Sequence, residues 1–138
     1  MRLFEITNSQ PIPETGKPIT FNFMRNLEKA PNFGTLYAQD IEPSGEYMNY
    51  YDPSWGVVNN KNLIYGIITF NNPLVLPHIT TAHGGWKTTL TNMFGGLVGK
   101  RLSRAVLKKG YDGIITVDDT GEITEVVNLS GEKRSIEN

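Results

Sequence analysis

The stretch between Lys108 and Leu129 constrains the fold more than any other part of the sequence. It contains a basic helix end, a glycine at Gly110, and two short apolar segments that meet at Asp119-Thr120-Gly121. Glycine often follows the last residue of a helix, and a tight turn between two segments rich in β-branched residues is typical of a hairpin. The stretch therefore predicts a helix followed by a β-hairpin. Glu125 directly precedes the β-branched pair Val126-Val127, and a carboxylate at this place either faces solvent or has a function.

Length and charge set broad limits. The 138 residues suit one domain, spanning 1–138, with a core of modest size. The 13 basic and 14 acidic residues give a net charge of −1, which argues against a surface dominated by phosphate binding but permits a local basic patch. The chain has no cysteine, which excludes disulfides, thiolate metal sites and cysteine nucleophiles.

No segment of the sequence indicates a membrane location. No window reaches the roughly 18 apolar residues that a membrane-spanning helix needs. The first residues lead to Pro11 and Pro13 without the apolar core of a signal peptide. We therefore expect a cytoplasmic protein with no membrane partner.

The periodicity of apolar residues predicts a mixed α+β chain. Alternation predicts a strand over residues 19–25, and apolar runs predict strands over 63–70 and 74–76. Helices are expected at about 86–94 and 97–109, separated by Gly95-Gly96, and the second is amphipathic. Residues 43–51 are predicted to form a short helix with Ser44 as its N-cap. The fold class is therefore α+β, with two small packed sheets and a cleft between them.

Two apparent motifs are better explained as structural features than as a phosphate-binding or a metal-binding site. The run from Gly95 to Arg101 resembles a phosphate-binding P-loop, but Phe94 replaces the first glycine and Arg101 replaces the Ser or Thr that binds magnesium. His78 and His83 are the two histidines, and without cysteine they need carboxylates from elsewhere to build the usual zinc site. We expect an inter-helix joint, a pair of loop histidines and no metal.

Two other features suit a ligand that has a flat ring and phosphates. Tyr47, Tyr50, Tyr51 and Trp55 either pack against the sheet or supply a wall on which a ring stacks. Arg25 ends a predicted strand, where its guanidinium either reaches water or holds an anion in its fork of donors. The residues alone leave both alternatives open.

Taken in order, these segments resemble the ADP-ribosyltransferase fold, in particular the small domains of phage genomes and phage polyvalent proteins. The resemblance covers nearly the whole chain from about residue 20. The matching segments are Phe23-Met24-Arg25, Gly34-Thr35-Leu36-Tyr37-Ala38-Gln39-Asp40, Tyr47 to Tyr50, Asn72-Pro73-Leu74, Gly110-Tyr111-Asp112-Gly113-Ile114 and Glu125-Val126-Val127.

The resemblance implies both a fold and an activity. It implies a split β-sandwich with short flanking helices and the transfer of one ADP-ribose from NAD, without metal, to a protein or nucleic acid. A phage member would modify host components in the host cytoplasm. Glu125 is implied as the catalytic carboxylate. The residues implied to bind NAD are Arg25, Asn26, Gly34, Tyr37, Tyr47 and Tyr50.

Two alternative functions and one alternative residue stay open. The same site could hydrolyse NAD with water as acceptor, or the chain could be a non-catalytic binding or inhibitor module on the same fold. Leu36 and Ile123 depart from the family pattern and keep that last alternative open. Glu122 competes with Glu125, and strand alternation predicts that the two carboxylates point to opposite faces.

Overall fold

The structure, a computed structural model, describes residues 11–27, 42–80, 84–129 and 134–137. Nine strands, two α-helices and a short 3-10 helix (Pro53–Trp55) form within these ranges. The strands are β1 (Ile19–Asn26), β2 (Glu46–Tyr50), β3 (Leu63–Phe70), β4 (Pro73–Pro77), β5 (Ile79–Thr80), β6 (Gly84–Gly85), β7 (Gly113–Val117), β8 (Ile123–Asn128) and β9 (Arg134–Glu137). The helices are α1 (Trp86–Met93) and α2 (Gly99–Lys108). The predicted α+β class is confirmed.

Seven of the strands are hydrogen-bonded in the order β4-β7-β8-β2-β1-β3-β9. The β4–β7 pair is parallel and the other neighbouring pairs are antiparallel. All eight residues of β1 are in register with β3, whereas β1 meets β2 at two registered pairs, Phe23 with Tyr50 and Met24 with Asn49. The strand order therefore divides at the β1–β2 junction into two halves, β1-β3-β9 and β2-β8-β7-β4.

The two halves fold over and pack face to face. In a flat sheet, the four steps between β3 and β7 would separate these strands by roughly 19 Å. Instead, a β-carbon placed on Gly113 of β7 would collide with the ring of Phe70 of β3. Glycine is therefore required at position 113, where the ring of Phe70 packs against β7. The core between them contains Ile19, Phe21, Phe23, Met48, Ile68, Phe70, Ile115, Ile123 and Val126.

The helices cover the other face of the half that contains β4, β7 and β8. Trp86 and Leu90 of α1 and Leu102 and Val106 of α2 are buried there. They form a second core with Leu74, Leu76, Ile114 and Val127. Both helices predicted from the sequence are confirmed, and the chain turns after α2 at Gly110, whose φ of 106° is in the region that favours glycine. None of the helices in the described ranges is long and apolar enough to cross a bilayer.

The carboxylate of Asp112 joins two of the segments on which the family resemblance was based. Its two oxygens accept hydrogen bonds from the backbone N–H groups of Asn71 and Asn72, at 2.8 Å and 3.0 Å. The Asn72 side chain in turn donates to the carbonyl of Gly110 at 2.7 Å. The turn between β3 and β4 is thus fixed to the start of β7, which accounts for the polar residues at both places.

The helix predicted over residues 43–51 is wrong, because this segment contains strand β2. Glu46, Tyr47 and Met48 pair with β8, and the end of β2 pairs with β1. Met48 enters the core between the halves at 2% exposure. Tertiary pairing therefore overrides the local helix signal. Ser44 caps no helix, and its carbonyl accepts a hydrogen bond from the Ser103 hydroxyl of α2.

Candidate functional site

The candidate site is built around an irregularity in β8. Ile115 and Val117 of β7 are two residues apart, but their partners on β8, Val126 and Ile123, are three residues apart. Strand β8 therefore carries one extra residue, a β-bulge. Ile123 and Val126 both enter the core between the halves. The side chains of the intervening residues, Thr124 and Glu125, contact His78 and Trp86 on the helix side.

The bulge removes the premise of the prediction that Glu122 and Glu125 point to opposite faces. That prediction assumed an uninterrupted alternation along the strand. The extra residue shifts the alternation of side chains along β8 by one position. Two side chains three positions apart across the bulge therefore need not point to opposite faces. Glu122 is exposed in the turn before β8 and lines a cavity together with Thr124. The two carboxylates are therefore distinguished by their surroundings and not by the face of the strand.

The hydroxyl of Thr116 holds the bulge in place. Thr116 is fully buried, and its Oγ1 accepts a hydrogen bond from the backbone N–H of Glu125 at 2.9 Å. The same oxygen lies 2.7 Å from Oγ1 of Thr124, which is 3.1 Å from Nδ1 of His78. The backbone N–H of Glu125 and the buried hydroxyl of Thr116 thus both have hydrogen-bond partners at the bulge, as buried polar groups require.

The carboxylate of Glu125 is fixed by an indole. Nε1 of Trp86 donates a hydrogen bond to Oε1 of Glu125 at 2.9 Å, and Trp86 is 2% exposed. The other oxygen, Oε2, has no hydrogen-bond partner among the residues that the structure describes. Because a buried tryptophan is held by its packing, one oxygen of Glu125 is anchored, and the other is not engaged by a described residue.

Tyr47 lies beside this carboxylate. Its ring centroid is 6.5 Å from that of Trp86, and its hydroxyl donates to the carbonyl of Pro43 at 2.6 Å. Burial raises the pKa of the Tyr47 phenol, and the negative charges of Glu42 and Glu125 raise that pKa further. The phenol is therefore protonated at neutral pH and acts as a hydrogen-bond donor.

A lysine completes the group. Nζ of Lys87 lies 3.1 Å from Oε1 of Glu42 and 5.8 Å and 5.7 Å from the ring centroids of Tyr47 and Trp86. Cations over aromatic faces are stabilised by the ring quadrupole. We call Glu125, Trp86, Tyr47, Lys87 and Glu42 the Glu125 cluster. It combines a fixed carboxylate, an aromatic wall and a balancing cation.

A cavity of about 580 Å³ opens on the neighbouring part of the sheet. Its lining includes Asn49 and Thr124, and the Asn49 amide donates to the Thr124 carbonyl at 3.2 Å. Asn49 lies two residues from Tyr47 on the same face of β2, and Thr124 precedes Glu125. Tyr50 and Trp55 line the cavity as well, with ring centroids 6.0 Å apart and planes at 90°. The described lining of the cavity thus joins an aromatic pair to Glu122 and Thr124, the residues before Glu125, and includes no residue of the Glu125 cluster.

Arg25 lies on the other face of β2 from Tyr47. Its Nη1 is 2.5 Å from Oε2 of Glu46, whose Oε1 accepts from the Asn128 amide at 3.2 Å. The side chain of Arg25 is 31% exposed, and Asn26 is exposed at the end of β1. The structure therefore brings Tyr47 to Glu125 but places Arg25 against a carboxylate on the opposite face.

Gly34 and Tyr37 lie outside the described residues, as does His83. Within the described ranges, no three His, Cys, Asp or Glu side chains are grouped so as to hold a metal ion. The residues between Gly95 and Gly99 join α1 to α2.

Sequence reasoning missed Trp86, Lys87, Glu42 and Thr116. One signal was available: a tryptophan that is buried at the start of a predicted helix needs an acceptor for its indole N–H. The partner of that N–H is Glu125, whose position depends on the bulge, and no local sequence pattern predicts the bulge.

Comparison with known proteins finds no family model, no curated protein and no solved structure that matches this chain.

Proposed function

We propose that this protein is an NAD-dependent mono-ADP-ribosyltransferase that modifies a macromolecular acceptor. The observation that carries the proposal is the state of Glu125. One carboxylate oxygen is anchored by the indole of Trp86, and the other has no partner within the described part of the chain. The sequence resemblance supplies the reaction, since it implied a catalytic carboxylate at this position.

The chemistry explains why a fixed carboxylate is useful. The bond between C1′ of the ribose and the nicotinamide nitrogen breaks, and its electron pair leaves with neutral nicotinamide. A nucleophilic oxygen or nitrogen of the acceptor then forms a bond to C1′ and loses its proton. The sugar acquires oxocarbenium character between these events, as in glycoside hydrolysis. In the proposal, Glu125 hydrogen-bonds a ribose hydroxyl and stabilises that positive charge more than it stabilises the ground state.

The cavity next to Thr124, the residue before Glu125, supports binding of the other parts of NAD. A volume of about 580 Å³ is within the range of small-molecule sites, and Tyr50 and Trp55 offer ring faces and edges to a flat base. Tyr47 contributes a ring beside Trp86, while its hydroxyl donates to the carbonyl of Pro43. Tyr50 and Trp55 line the cavity, whereas Tyr47 lies on the other face of β2 from Tyr50.

In the proposal, Arg25 and Asn26 bind the pyrophosphate, as the sequence resemblance implies; because Arg25 lies on the other face of β2 from Tyr47, these two residues would contact NAD away from Glu125. Glu46 already accepts a hydrogen bond from Nη1 of Arg25, so the phosphates would meet the remaining guanidinium donors. Gly34 and Tyr37 stay predicted NAD contacts from the sequence resemblance. If the protein is encoded by a phage, its acceptor is a component of the host cytoplasm.

Labelled NAD tests the proposal directly. The protein is incubated with NAD labelled in the adenylate portion and with a cell lysate, and labelled protein, labelled nucleic acid and free ADP-ribose are then separated. We expect label on one macromolecular fraction, dependent on the protein and absent with Glu125→Gln.

The other outcomes identify the alternatives. Free ADP-ribose as the sole product would replace transfer by NAD hydrolysis at the same site. Unconsumed NAD, with every fraction unlabelled, would reject the enzyme and favour the non-catalytic binding module.

A further inference from the structure

The small net charge conceals a division of the charged residues along the chain. Between residues 53 and 111 the sequence has no aspartate or glutamate, although it has seven basic residues. These are Lys61, Lys87, Lys100, Arg101, Arg104, Lys108 and Lys109. All 14 acidic residues lie outside this range. Five of the seven cations are in or next to α2.

The cations of α2 form one exposed stripe. Arg101, Arg104 and Lys108 are exposed and follow the i, i+3, i+7 spacing that places side chains on one face of a helix. The stripe extends about 10 Å along the axis, at about 1.5 Å per residue. The opposite face of the helix is buried through Leu102 and Val106. The helix is thus held against the sheet with its charged side turned outward.

No carboxylate within the described ranges neutralises this stripe. The ion pairs between described residues involve Lys17, Arg25 and Lys87, and none involves a residue of α2. Asp112, the first acidic residue after the helix, is engaged with the backbone of Asn71 and Asn72. The surface therefore presents unpaired positive charge to a partner.

The chemistry of the stripe favours a nucleic acid. Insertion of the helix into an anionic membrane would need its apolar face, but Leu102 and Val106 are fully buried in the core, so a membrane would be held by charge alone. Protein interfaces are depleted in lysine and depend on buried aromatic or apolar anchors, and the stripe has no aromatic residue. Closely spaced Lys and Arg side chains without such anchors match the regular charges of a phosphate backbone.

We propose that the exposed basic face of α2 binds the phosphate backbone of a nucleic acid. The helix packs on the same side of the sheet as Trp86 and Glu125, since Leu102, Val106 and Trp86 share one core. As a corollary, which rests on the proposed transferase activity, the bound nucleic acid is the acceptor: a base or sugar nucleophile forms the bond to C1′ as nicotinamide leaves.

Binding is tested without NAD, so that the result does not depend on catalysis. The anisotropy of a fluorescent DNA oligonucleotide, single-stranded and as a duplex, is measured with wild type and with Arg101→Ala/Arg104→Ala. We expect the variant to bind at least about tenfold more weakly. The salt dependence of log K should also become shallower, by about 0.7 to 0.9 for each lost phosphate contact.

Two control variants make the result specific. Lys17→Ala/Lys61→Ala removes the same charge from exposed sites outside α2 and should leave the affinity within about twofold, because a screened distant charge contributes little. Arg101→Lys/Arg104→Lys keeps the charge and should restore most of the binding. Equal weakening by both Ala pairs would reject the α2 surface in favour of a general charge effect. Vesicles of phosphatidylserine and phosphatidylcholine, or polyglutamate, that bind where DNA does not would also overturn the proposal.

The corollary has its own readout. Labelled NAD and a cell lysate are added to the protein with the bound oligonucleotide, and we expect label on the DNA. If DNA binds but label appears on lysate protein alone, the acceptor assignment fails while the binding surface stands. If DNA binds and no fraction is labelled, the transferase proposal fails and the binding surface again stands.

Discussion

At the scale of single residues, the environment of Glu125 decides what its carboxylate can do. Trp86 is buried and donates to one oxygen, and the hydroxyl of Thr116 accepts from the Glu125 backbone. Side chain and backbone are thus both fixed, as electrostatic catalysis requires, because a preorganised group pays no reorganisation energy during the reaction. Glu122, in contrast, is exposed beside the turn.

Glu125→Gln tests this difference. Glutamine keeps an oxygen that can accept from Trp86 but removes the negative charge, so NAD consumption should fall by about a hundredfold or more. Glu122→Gln is the matched control, since it makes the same change three residues earlier, and should alter the rate little. The rates are measured at saturating NAD by release of nicotinamide. A large loss with Glu122→Gln and none with Glu125→Gln would move the site to the turn.

The sequence indicated Glu125 itself but not its partners. A carboxylate next to two β-branched residues is visible in the sequence, whereas the donor from Trp86 comes from 39 positions away. Arg25 illustrates the same limit: its strand-end position was predicted, but its ion pair with Glu46 exists because β1 and β2 are neighbours. Contacts across a sheet depend on strand order, which local patterns do not encode.

At the scale of elements, the bulge in β8 and the tight turn before it determine where Glu125 points. The turn is organised by Asp118, whose Oδ1 accepts from the N–H and hydroxyl of Thr120 and from the N–H of Glu122. The bulge then follows within three residues. A change in either feature should displace the carboxylate.

Thr116→Val tests the bulge. Valine has nearly the same shape but leaves the buried N–H of Glu125 without its acceptor, which should cost about 1–3 kcal/mol of unfolding free energy. If Thr116 positions Glu125, the turnover rate falls while the affinity for NAD is retained, and Thr116→Ser restores both stability and rate. Denaturant titration and the kinetics provide the two measurements. Unchanged stability in Thr116→Val would show that the hydroxyl does not hold the bulge.

Asp118→Ala tests the turn through its pH dependence. The hydrogen bond from the Thr120 side chain, with the backbone bonds, lowers the pKa of Asp118 below its ordinary value of 3.8. A lowered pKa in the folded state stabilises the protein above that ordinary value, and the stabilisation is lost as the pH falls through the folded-state pKa. Wild type should therefore melt at a higher temperature than Asp118→Ala at neutral pH, with the difference narrowing below pH 3.8.

Asp119→Ala is the control for this comparison. Asp119 is the exposed neighbour of Asp118, and its removal should lower the melting temperature much less at neutral pH. A difference between wild type and Asp118→Ala that does not vary with pH would contradict the role of the carboxylate charge.

The elements show which sequence signals are reliable. Strand β3 was predicted because it is a continuous apolar run, and helix α2 was predicted because its apolar residues recur with the helical period. Residues 43–51 were assigned wrongly because a strand flanked on both sides owes its conformation to its neighbours, β1 and β8. The phase of β8 was misjudged for a related reason: one extra residue is invisible until the register with β7 is known.

At the scale of the whole molecule, two packed halves and a helical layer place the Glu125 cluster and the basic face of α2 on the same side. If NAD binds the native state, its binding must stabilise the whole fold, by about 2.7 kcal/mol at a concentration about 100 times its dissociation constant. Thermal unfolding with increasing NAD measures this shift without any assumption about the acceptor.

Arg25→Ala should reduce the dependence of the melting temperature on NAD if its guanidinium binds the pyrophosphate. Lys17→Ala, which removes an exposed cation paired with Glu14, should not reduce it. Melting curves that are identical with and without NAD in the wild type would remove NAD as a ligand.

The close approach of Gly113 to Phe70 also has an evolutionary consequence. Because the aromatic ring occupies the space that any β-carbon at position 113 would need, the two positions cannot vary independently. A homologue that replaces this glycine must carry a smaller side chain in place of the phenylalanine. Covariation of this pair, about 40 positions apart in sequence, would identify distant relatives that fold their sheet over in the same way.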